Sequence, residues 1–288
     1  MRVLVTGARG LLGAAIIREL SPDWDVHARD RAALDVSDDA AVAAAVKAIE
    51  PDAIVNCAAY NQVDRAETEP LPALQVNAFA VLALARAARD AGAALVHYST
   101  DFVFDGEASR PYREDDKPNP RGAYAASKLL GEWFALESPG AYVLRVESLF
   151  GEPAPGTERR GSLAAIVDSI RAGREVPLFV DRTVSPSYTV DVALATRQLL
   201  ERRAAAGLYH CVNSGAATWD AIAREAARLL DRPLHMKPMT LETAGLVAAR
   251  PRFCAMDPSK LADAGISMPP WQDALRRFLS RPPAGAGS

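Results

Sequence analysis

The sequence contains little cysteine, and this scarcity bears on both the compartment and the kind of site. Only Cys57, Cys211 and Cys254 occur in 288 residues. Their number is odd, they lie far apart, and their spacing matches no metal-ligand pattern, so neither a disulfide framework nor a zinc site is indicated. Two of them lie in apolar, strand-like runs, which favours buried free thiols in a reducing compartment. We therefore expect a cytoplasmic protein.

Long apolar runs and an excess of one charge are also lacking. No apolar run approaches the roughly 20 residues that cross a bilayer, and a predicted core strand at the N-terminus leaves no room for a signal peptide. The net charge is −3, and the basic pairs at 159–160 and 202–203 are short enough to be solvated helix ends or loops. We therefore expect neither a membrane nor a nucleic acid as a partner.

Short apolar runs alternate with helical patterns in the first half of the chain. Strands are predicted over 3–6, 25–28, 53–56, 95–98 and 142–146. Helices are predicted over 11–20, after a cap at Ser37, and over 73–91, where Gly92 ends the helix. Strands that alternate with helices form a parallel sheet covered on both faces. The pattern predicts an α/β fold with a Rossmann-type doubly wound parallel sheet.

The pattern becomes irregular after Gly151. Thr189 and Thr218 are candidate helix caps, and 208–212 is a further candidate strand of the same sheet. We predict a Rossmann domain over 1–150 that parts of 185–215 complete. A smaller discontinuous substrate lobe is predicted from 151–185 and 215–280. Residues 281–288 are predicted to be a flexible tail.

Three glycines, Gly7, Gly10 and Gly13, lie between the first predicted strand and the first predicted helix. Parallel sheets bind ligands at the carboxyl ends of their strands, and the amides of a helix N-terminus attract a diphosphate. The GxxGxxG spacing is one residue longer than the GxGxxG dinucleotide fingerprint. An ordinary βα turn that needs glycine for packing is the alternative. The position at the start of a βαβ series favours a dinucleotide.

The end of the second predicted strand bears on the choice between NADPH and NADH. An acidic residue there binds the adenosine ribose, and an arginine accepts a 2′-phosphate. Asp30 favours NAD, whereas its neighbours Arg29 and Arg31 favour NADP. We expect NADPH, with NADH as an alternative. Either arginine could instead belong to a solvated strand end.

Tyr124 and Lys128 are four residues apart on a predicted helix and therefore share one face. A nearby ammonium favours the phenolate and lowers a tyrosine pKa, which suits the phenol for proton transfer. The pair could also be an ordinary surface pair. A hydroxyl at the end of the preceding strand, from Ser99 or Thr100, could hydrogen-bond the same carbonyl oxygen. The combination indicates a nicotinamide-dependent oxidoreductase.

The order of these motifs resembles the extended short-chain dehydrogenase/reductases, and among them the dTDP-4-dehydrorhamnose reductase family. The matching strings lie at 7–13, 34–38, 51–67, 96–104 and 124–132. The Ser-Thr-Asp-aromatic-Val-Phe string that begins at Ser99 is the most specific. The resemblance covers nearly the whole chain and is firmest over residues 1–150.

The resemblance implies hydride transfer to the C4 keto carbon of a nucleotide-linked 4-keto-6-deoxy sugar. Tyr124 would protonate the resulting oxygen, Lys128 would lower the phenol pKa and bind the nicotinamide ribose, and Thr100 would hydrogen-bond the keto oxygen. Mg²⁺ occurs in some members, but no ligands can be assigned here, and a homodimer is possible. The residues expected to contact the cofactor are Gly7, Arg9, Gly10, Leu11, Leu12, Gly13, Asp30, Arg31, Asp35, Val36, Ala58, Ala59, Tyr60, Asn77, Ser99, Tyr124 and Lys128.

The chain departs from the family in the substrate half. The family string Arg-Thr-Ser-Trp-Leu-Tyr-Gly corresponds to 145–151, where Ser148 stands at the position of a tryptophan that packs on the sugar. The family string Asp-Gln-x-Gly-x-Pro-Thr corresponds to 181–187 and begins Asp181-Arg182 here. The reaction class is therefore better supported than the sugar.

Two other functions fit the same residues. One is a non-catalytic NADP(H)-binding regulator like the methionine adenosyltransferase β subunit, which also lacks the tryptophan. The other is a nucleotide-sugar epimerase or dehydratase, which would retain its cofactor tightly. Thr100, Tyr124 and Lys128 are all present, which favours the reductase over the regulator.

Four further residues have surroundings in the sequence that bear on their roles. His97 lies in an apolar strand and is predicted to be a hydrogen-bonded core residue. Trp133 is predicted to pack, and Arg145 to form a structural ion pair rather than a substrate contact. Asp64 belongs to a charged loop that is either a solvated edge or a substrate contact.

Overall fold

The computed structural model describes residues 1–157 and 161–281. The strands are β1 (Arg2–Thr6), β2 (Asp25–Arg29), β3 (Ala53–Asn56), β4 (Ala94–Thr100), β5 (Ala141–Val146), β6 (Leu149–Phe150), β7 (Val176–Phe179), β8 (Thr183–Val184), β9 (Ser187–Tyr188), β10 (Gly207–His210), β11 (Ala217–Thr218) and β12 (Met236–Met239). Residues 159–160, predicted to be a loop or helix end, and 282–288 of the predicted tail lie outside the described part of the chain.

The helices alternate with the strands over the first half of the chain, as predicted. They are α1 (Leu11–Leu20), α2 (Asp39–Ile49), α3 (Val63–Thr68), α4 (Pro70–Leu74), α5 (Ala80–Ala91), α6 (Ala123–Leu136), α7 (Gly161–Arg171), α8 (Thr189–Arg202), α9 (Trp219–Leu230), α10 (Ser259–Asp263) and α11 (Trp271–Leu279).

A six-stranded parallel sheet lies at the centre of the fold, in the order β10-β5-β4-β3-β1-β2. The predicted doubly wound sheet is confirmed, and β10 joins it beside β5 as expected for 208–212. The chain passes from β1 to β2 on one side of β1 and then crosses to β3 on its other side. Such a switch point opens a crevice at the carboxyl ends of the strands.

Side chains of β1 alternate between the two faces of the sheet. Val3 and Val5 belong to the apolar cluster that α1 and α8 cover. Leu4 belongs to the cluster on the other face, with residues of α2 and α5. This period of two explains why a continuous apolar run forms a strand buried on both faces.

A separate apolar cluster is built from segments that are distant in sequence. It joins α7, β7, α9 and α11, with Tyr188 stacked on Phe150 at 5.2 Å between ring centroids. These segments are those assigned to the smaller lobe in the sequence analysis. The division into two domains stays a prediction.

Two of the three predicted helix caps are corrected. Asp38, rather than Ser37, accepts a hydrogen bond from the Ala41 amide at 3.0 Å. The Ser37 hydroxyl instead donates to Asp35 Oδ1 at 2.6 Å. Thr189 is already the first residue of α8, after Tyr188. Thr218 precedes α9 as predicted, but without a side-chain capping bond.

The helix predicted over 73–91 begins earlier and is interrupted. It consists of α4, a π-helical turn over Gln75–Phe79, and α5. The stretch Pro70–Ala91 is long and apolar enough to cross a membrane by length and composition, contrary to the sequence expectation, but half of its most apolar window is buried inside the fold. Packing of α5 against the sheet and α2 accounts for its apolar face.

Candidate active site

The predicted cofactor residues collect at one edge of the sheet because the strands are parallel. The turn at 7–13 follows β1, residues 30–36 follow β2, and residues 57–60 follow β3. Ser99 and Thr100 end β4. Carboxyl ends of parallel strands lie at the same edge. The structure therefore brings the ends of β1, β2, β3 and β4 together at one edge of the sheet.

The backbone conformation and the close packing of the first turn require glycine at two positions. Gly7 has a φ of +66°, and a Cβ there would lie 2.6 Å from the Ala58 amide nitrogen. A Cβ on Gly13 would collide with the Gly7 carbonyl oxygen. The packing explanation thus accounts for both residues. The same turn leaves the N-terminus of α1 without a side-chain cap, as an anion-binding helix end requires.

Residues after β2 differ in how free they are to bind a ligand. Asp30 accepts hydrogen bonds from the amides of Ala32 and Ala33 at 3.1 and 3.0 Å. Arg31 extends into solvent and lies 4.0 Å from Asp35. Val36 is buried in the core. The carboxylate of Asp30 is therefore engaged in its own turn, while the guanidinium of Arg31 remains accessible.

Two expected cofactor residues bond mainly to the protein. Asn77 lies in the π-helical turn, where it hydrogen-bonds both backbone groups of Tyr60 at 2.9 and 3.1 Å and also Ser127. Ser99 donates to Glu132 at 2.5 Å. Both side chains are buried. These contacts hold the Tyr60 loop and the end of β4 in place.

The three expected catalytic side chains come from β4 and α6. Helix α6 begins where Glu67 accepts a hydrogen bond from the Ala123 amide at 2.7 Å, which fixes the first turn that carries Tyr124. The phenol of Tyr124 lies near the Thr100 hydroxyl, which acts to lower the phenol's pKa. Lys128 lies one turn further on α6, and its Nζ donates to the Tyr98 carbonyl oxygen at 2.5 Å.

Burial dominates the electrostatics of this group. Burial raises the pKa of Tyr124, the negative charge of Asp101 adds to that effect, and the Thr100 hydroxyl and Arg250 oppose it. Burial also lowers the pKa of Lys128 to about 8. The sequence predicted that Lys128 lowers the Tyr124 pKa. In this structure Arg250 is the cation that does so.

A small, narrow cavity of about 10 Å³ lies beside Tyr124. Its far wall includes Ala248 and Pro251, which follow the loop after β12. Asp64 holds that wall, since it accepts from the Ala248 amide and from Arg250, both at 2.9 Å. Asp64 is therefore a bridge between α3 and the second half of the chain, a role that neither alternative in the sequence analysis included.

Asp101, Glu147 and Arg182 were not predicted as site residues. Asp101 accepts from the Thr100 hydroxyl at 2.9 Å and lies 3.3 Å from Arg182 Nη2. Arg182 and Arg250 both approach the Phe102 ring, which meets Tyr124 edge-on. The only sequence signal was that Glu147 and Arg182 lie in the two strings that depart from the family.

The magnesium ion that the resemblance allows does not fit the one metal-like group in the described residues. Asp101, Glu147 and Cys254 lie within 4.8 Å of one another. A thiol is a poor ligand for Mg²⁺, and the guanidinium of Arg182 already contacts Asp101 and Cys254. The positive charge in this group is an arginine.

His97 and Arg145 contact other protein groups in the interior of the fold. His97 is buried and hydrogen-bonded to Asn56 at 3.2 Å, as predicted. Arg145 forms a buried pair with Glu132 at 2.7 Å, also as predicted. Trp133 was expected to pack, but 58% of it is exposed.

Comparison with known proteins identifies relatives along the whole chain. The family model described as the RmlD substrate binding domain matches residues 1–282. The chain is 39% identical to a dTDP-4-dehydrorhamnose reductase of Streptomyces griseus, over 95% of this chain and 91% of that protein. It is 35% identical to the methionine adenosyltransferase 2 subunit beta of Danio rerio, over 96% and 90%. A crystal structure of the Bacillus anthracis dTDP-4-dehydrorhamnose reductase with NADP superposes with a TM-score of 0.91 at 31% identity, covering 96% and 98%.

Proposed function

The chain belongs to the RmlD substrate-binding-domain family of extended short-chain dehydrogenase/reductases, and we propose that it reduces a nucleotide-linked 4-keto-6-deoxy sugar, as dTDP-4-dehydrorhamnose reductases do. The observation that carries the proposal is that the Tyr124 phenol lies near the Thr100 hydroxyl, which acts to lower its pKa, at the carboxyl end of β4. This pair supplies an acid next to a hydrogen-bonding alcohol at the edge where a dinucleotide binds.

We propose NADPH as the cofactor. Backbone amides at the start of α1 would hold the diphosphate. Arg31, and Arg9 in the glycine-rich turn, are exposed cations at the adenosine end, where an arginine suits a 2′-phosphate. Asp30 is turned toward its own backbone and is less available for the ribose hydroxyls that distinguish NAD.

A bound nicotinamide would supply the hydride to the keto carbon. Tyr124 would then donate its phenolic proton to the oxygen at which negative charge develops. The raised pKa of Tyr124 keeps the phenol protonated until that moment. Arg250, the cation that lowers the Tyr124 pKa, would favour the phenolate that remains, and Lys128, whose ammonium is held by the Tyr98 carbonyl, would bind the nicotinamide ribose. Exclusion of water from the narrow cavity would strengthen each of these interactions.

The test is NADPH oxidation, followed by absorbance, with a panel of nucleotide-linked 4-keto-6-deoxy sugars and with NADH in parallel. We expect turnover with at least one sugar. Tyr124→Phe should lower kcat at least 100-fold, while NADPH fluorescence titration shows unchanged cofactor binding. Trp133→Phe, far from the acid pair, is the matched aromatic control. Equal turnover by Tyr124→Phe and the wild type would contradict the assignment of the acid.

A regulatory role is the second candidate. The similarity to the methionine adenosyltransferase β subunit and the serine at position 148 favour it. Tight NADPH binding without turnover of any sugar, together with a co-purifying partner enzyme, would support regulation over catalysis.

A third candidate, an epimerase or dehydratase, requires a cofactor that stays bound through purification. Release of NADP after each turnover would contradict it.

We place the protein in the cytoplasm, since all three cysteines are free thiols as a reducing compartment requires. Its proposed partners are the nucleotide sugar and a second copy of the chain.

A further inference from the structure

A buried group of charged side chains lies next to Thr100, which together with Tyr124 forms the proposed acid pair. We call it the Arg182 cluster, and it consists of Asp101, Glu147, Arg182 and Cys254. Arg182 Nη2 lies 3.3 Å from Asp101 Oδ2 and 3.6 Å from Cys254 Sγ. Glu147 Oε2 accepts from the Ser185 amide at 2.6 Å, whereas its Oε1 has no hydrogen-bond partner within the described chain. Both carboxyl groups are almost completely buried.

The cluster is short of positive charge. Two carboxyl groups face one guanidinium, and buried charges without a counter-charge are costly. Burial raises the pKa of both Asp101 and Glu147, and the charge of Arg182 opposes this for both. Asp101 and Glu147 therefore compete for the same cation, with Asp101 in the closer contact.

Asp101 connects the cluster to the acid pair. The Thr100 hydroxyl donates to Asp101 Oδ1 at 2.9 Å and accepts from the Phe102 amide at 3.2 Å. A hydroxyl has one proton to donate. While Asp101 accepts that proton, two contacts fix the Thr100 oxygen beside the Tyr124 phenol.

Glu147 and Arg182 are the two members that the family strings do not contain. The corresponding family residues are a serine and a glutamine, both neutral. Glu147 and Arg182 lie in segments 35 residues apart that the fold brings into one buried group.

We propose that Arg182 and Glu147 are positioning residues, which act through Asp101 on the Thr100 hydroxyl and thereby on the Tyr124 phenol. The inference rests on the proposed function for its kinetic consequence. Arg182 holds Asp101 where it accepts the Thr100 proton. Glu147 limits how strongly Arg182 is drawn to Asp101. Neither residue touches the reacting atoms.

The kinetic test compares Arg182→Gln, Arg182→Lys and the double variant Glu147→Ser with Arg182→Gln. Arg182→Gln should lower kcat roughly tenfold through misplacement of the acid pair, with KM for the sugar changed less than twofold. Arg182→Lys keeps the charge and should stay within about threefold of the wild type. Because Glu147 is proposed to act only through Arg182, the double variant should keep the loss of Arg182→Gln without adding to it.

A double-mutant cycle asks whether the effect passes through Thr100. In a Thr100→Val background, Arg182→Gln should change kcat less than twofold. An undiminished tenfold loss in that background would overturn the proposal. Arg277→Gln is the matched control, since Arg277 binds Asp191 with two hydrogen bonds away from the site. It should lower stability without altering kcat or its pH profile.

A second readout does not need turnover. The Thr100 side-chain rotamer can be measured by NMR of methyl-labelled threonine, with Thr100→Val to assign the signal. We expect one rotamer in the wild type and rotamer averaging in Arg182→Gln. A single unchanged rotamer in folded Arg182→Gln would overturn the proposal. If the wild type failed to oxidise NADPH with any sugar, the proposed function would fall and this measurement would still decide the positioning role.

Discussion

At the scale of single residues, the site holds ionisable side chains where burial opposes their charged forms. Tyr124 is kept as a phenol and Lys128 is destabilised as an ammonium, both chiefly by desolvation. A catalytic acid benefits from such surroundings because its proton is released only to a developing charge. Burial of these ionisable side chains lowers the stability of the folded chain.

Lys128 predicts a pH dependence of stability. Its pKa is about 8 in the fold, against 10.5 for the ordinary side chain. Between these values the unfolded chain binds a proton that the folded chain does not, so the free energy of unfolding rises with pH across this window. Below pH 8 both states are protonated, and the full cost of burying the ammonium remains.

Urea unfolding at pH 7.5 and pH 10 measures this effect. Relative to Lys128→Met, the wild type should gain on the order of 1–3 kcal/mol over that interval. The exposed Lys47→Met is the control and should follow the wild type. If the free energy of unfolding changed by the same amount with pH in the wild type and in Lys128→Met, the lowered pKa of Lys128 would be contradicted.

At the scale of secondary-structure elements, α6 is held to the sheet by a buried ion pair as well as by apolar packing. Glu132 on α6 accepts two hydrogen bonds from Arg145 on β5, at 2.8 and 2.7 Å, and one from Ser99 on β4. The guanidinium of Arg145 also lies 4.9 Å from the Phe104 ring centroid. The same helix carries Tyr124 and Lys128, so the Glu132–Arg145 ion pair also fixes the position of these two side chains relative to β4.

Glu132→Gln should therefore destabilise the fold by roughly 3–5 kcal/mol, because it leaves the Arg145 guanidinium buried without its counter-charge. Urea unfolding at pH 7 measures the loss. The control is Glu225→Gln, whose partner Arg228 is mostly exposed on α9, and its cost should stay below about 1 kcal/mol. Similar losses for the two variants would show that the Glu132 pair contributes no more than a surface pair.

At the scale of the whole molecule, one face remains apolar and exposed. Leu71, Phe79 and Trp133 are 74, 53 and 58% exposed, and they come from α4, the π-helical turn and α6. Phe79 also contacts Phe134 at 6.2 Å between ring centroids. Grouped exposed apolar side chains are typical of an interaction surface. This face is our candidate for the predicted homodimer contact.

Trp133→Glu should convert a dimer into a monomer, because it places a charge in the centre of the apolar face. Light scattering coupled to size-exclusion chromatography measures the mass. Leu194→Glu, at an exposed leucine of α8, is the control and should leave the mass unchanged. A wild type that is already monomeric would contradict the homodimer itself.

Local features of the site were accessible from the sequence because they depend on short spacings. The glycine turn requires a positive φ at Gly7, and a four-residue separation places Tyr124 and Lys128 on one helix face. Helix α1 and strand β3 have the predicted bounds. Caps were less predictable: Ser37 and Asp38 are both good capping residues, and the choice depended on the contact between Ser37 and Asp35.

The order of strands and helices followed from the sequence alone, since apolar periodicity and turn chemistry act over a few residues. The reaction class followed from the glycine turn, the Tyr124 and Lys128 pair and the family resemblance. The surroundings of each ionisable group were decided by tertiary structure. Asp64 meets Arg250 across 186 residues, and Asp101 meets Arg182 across 81. A pKa depends on burial and on charges a few ångströms away, and such neighbours are set by how distant segments pack.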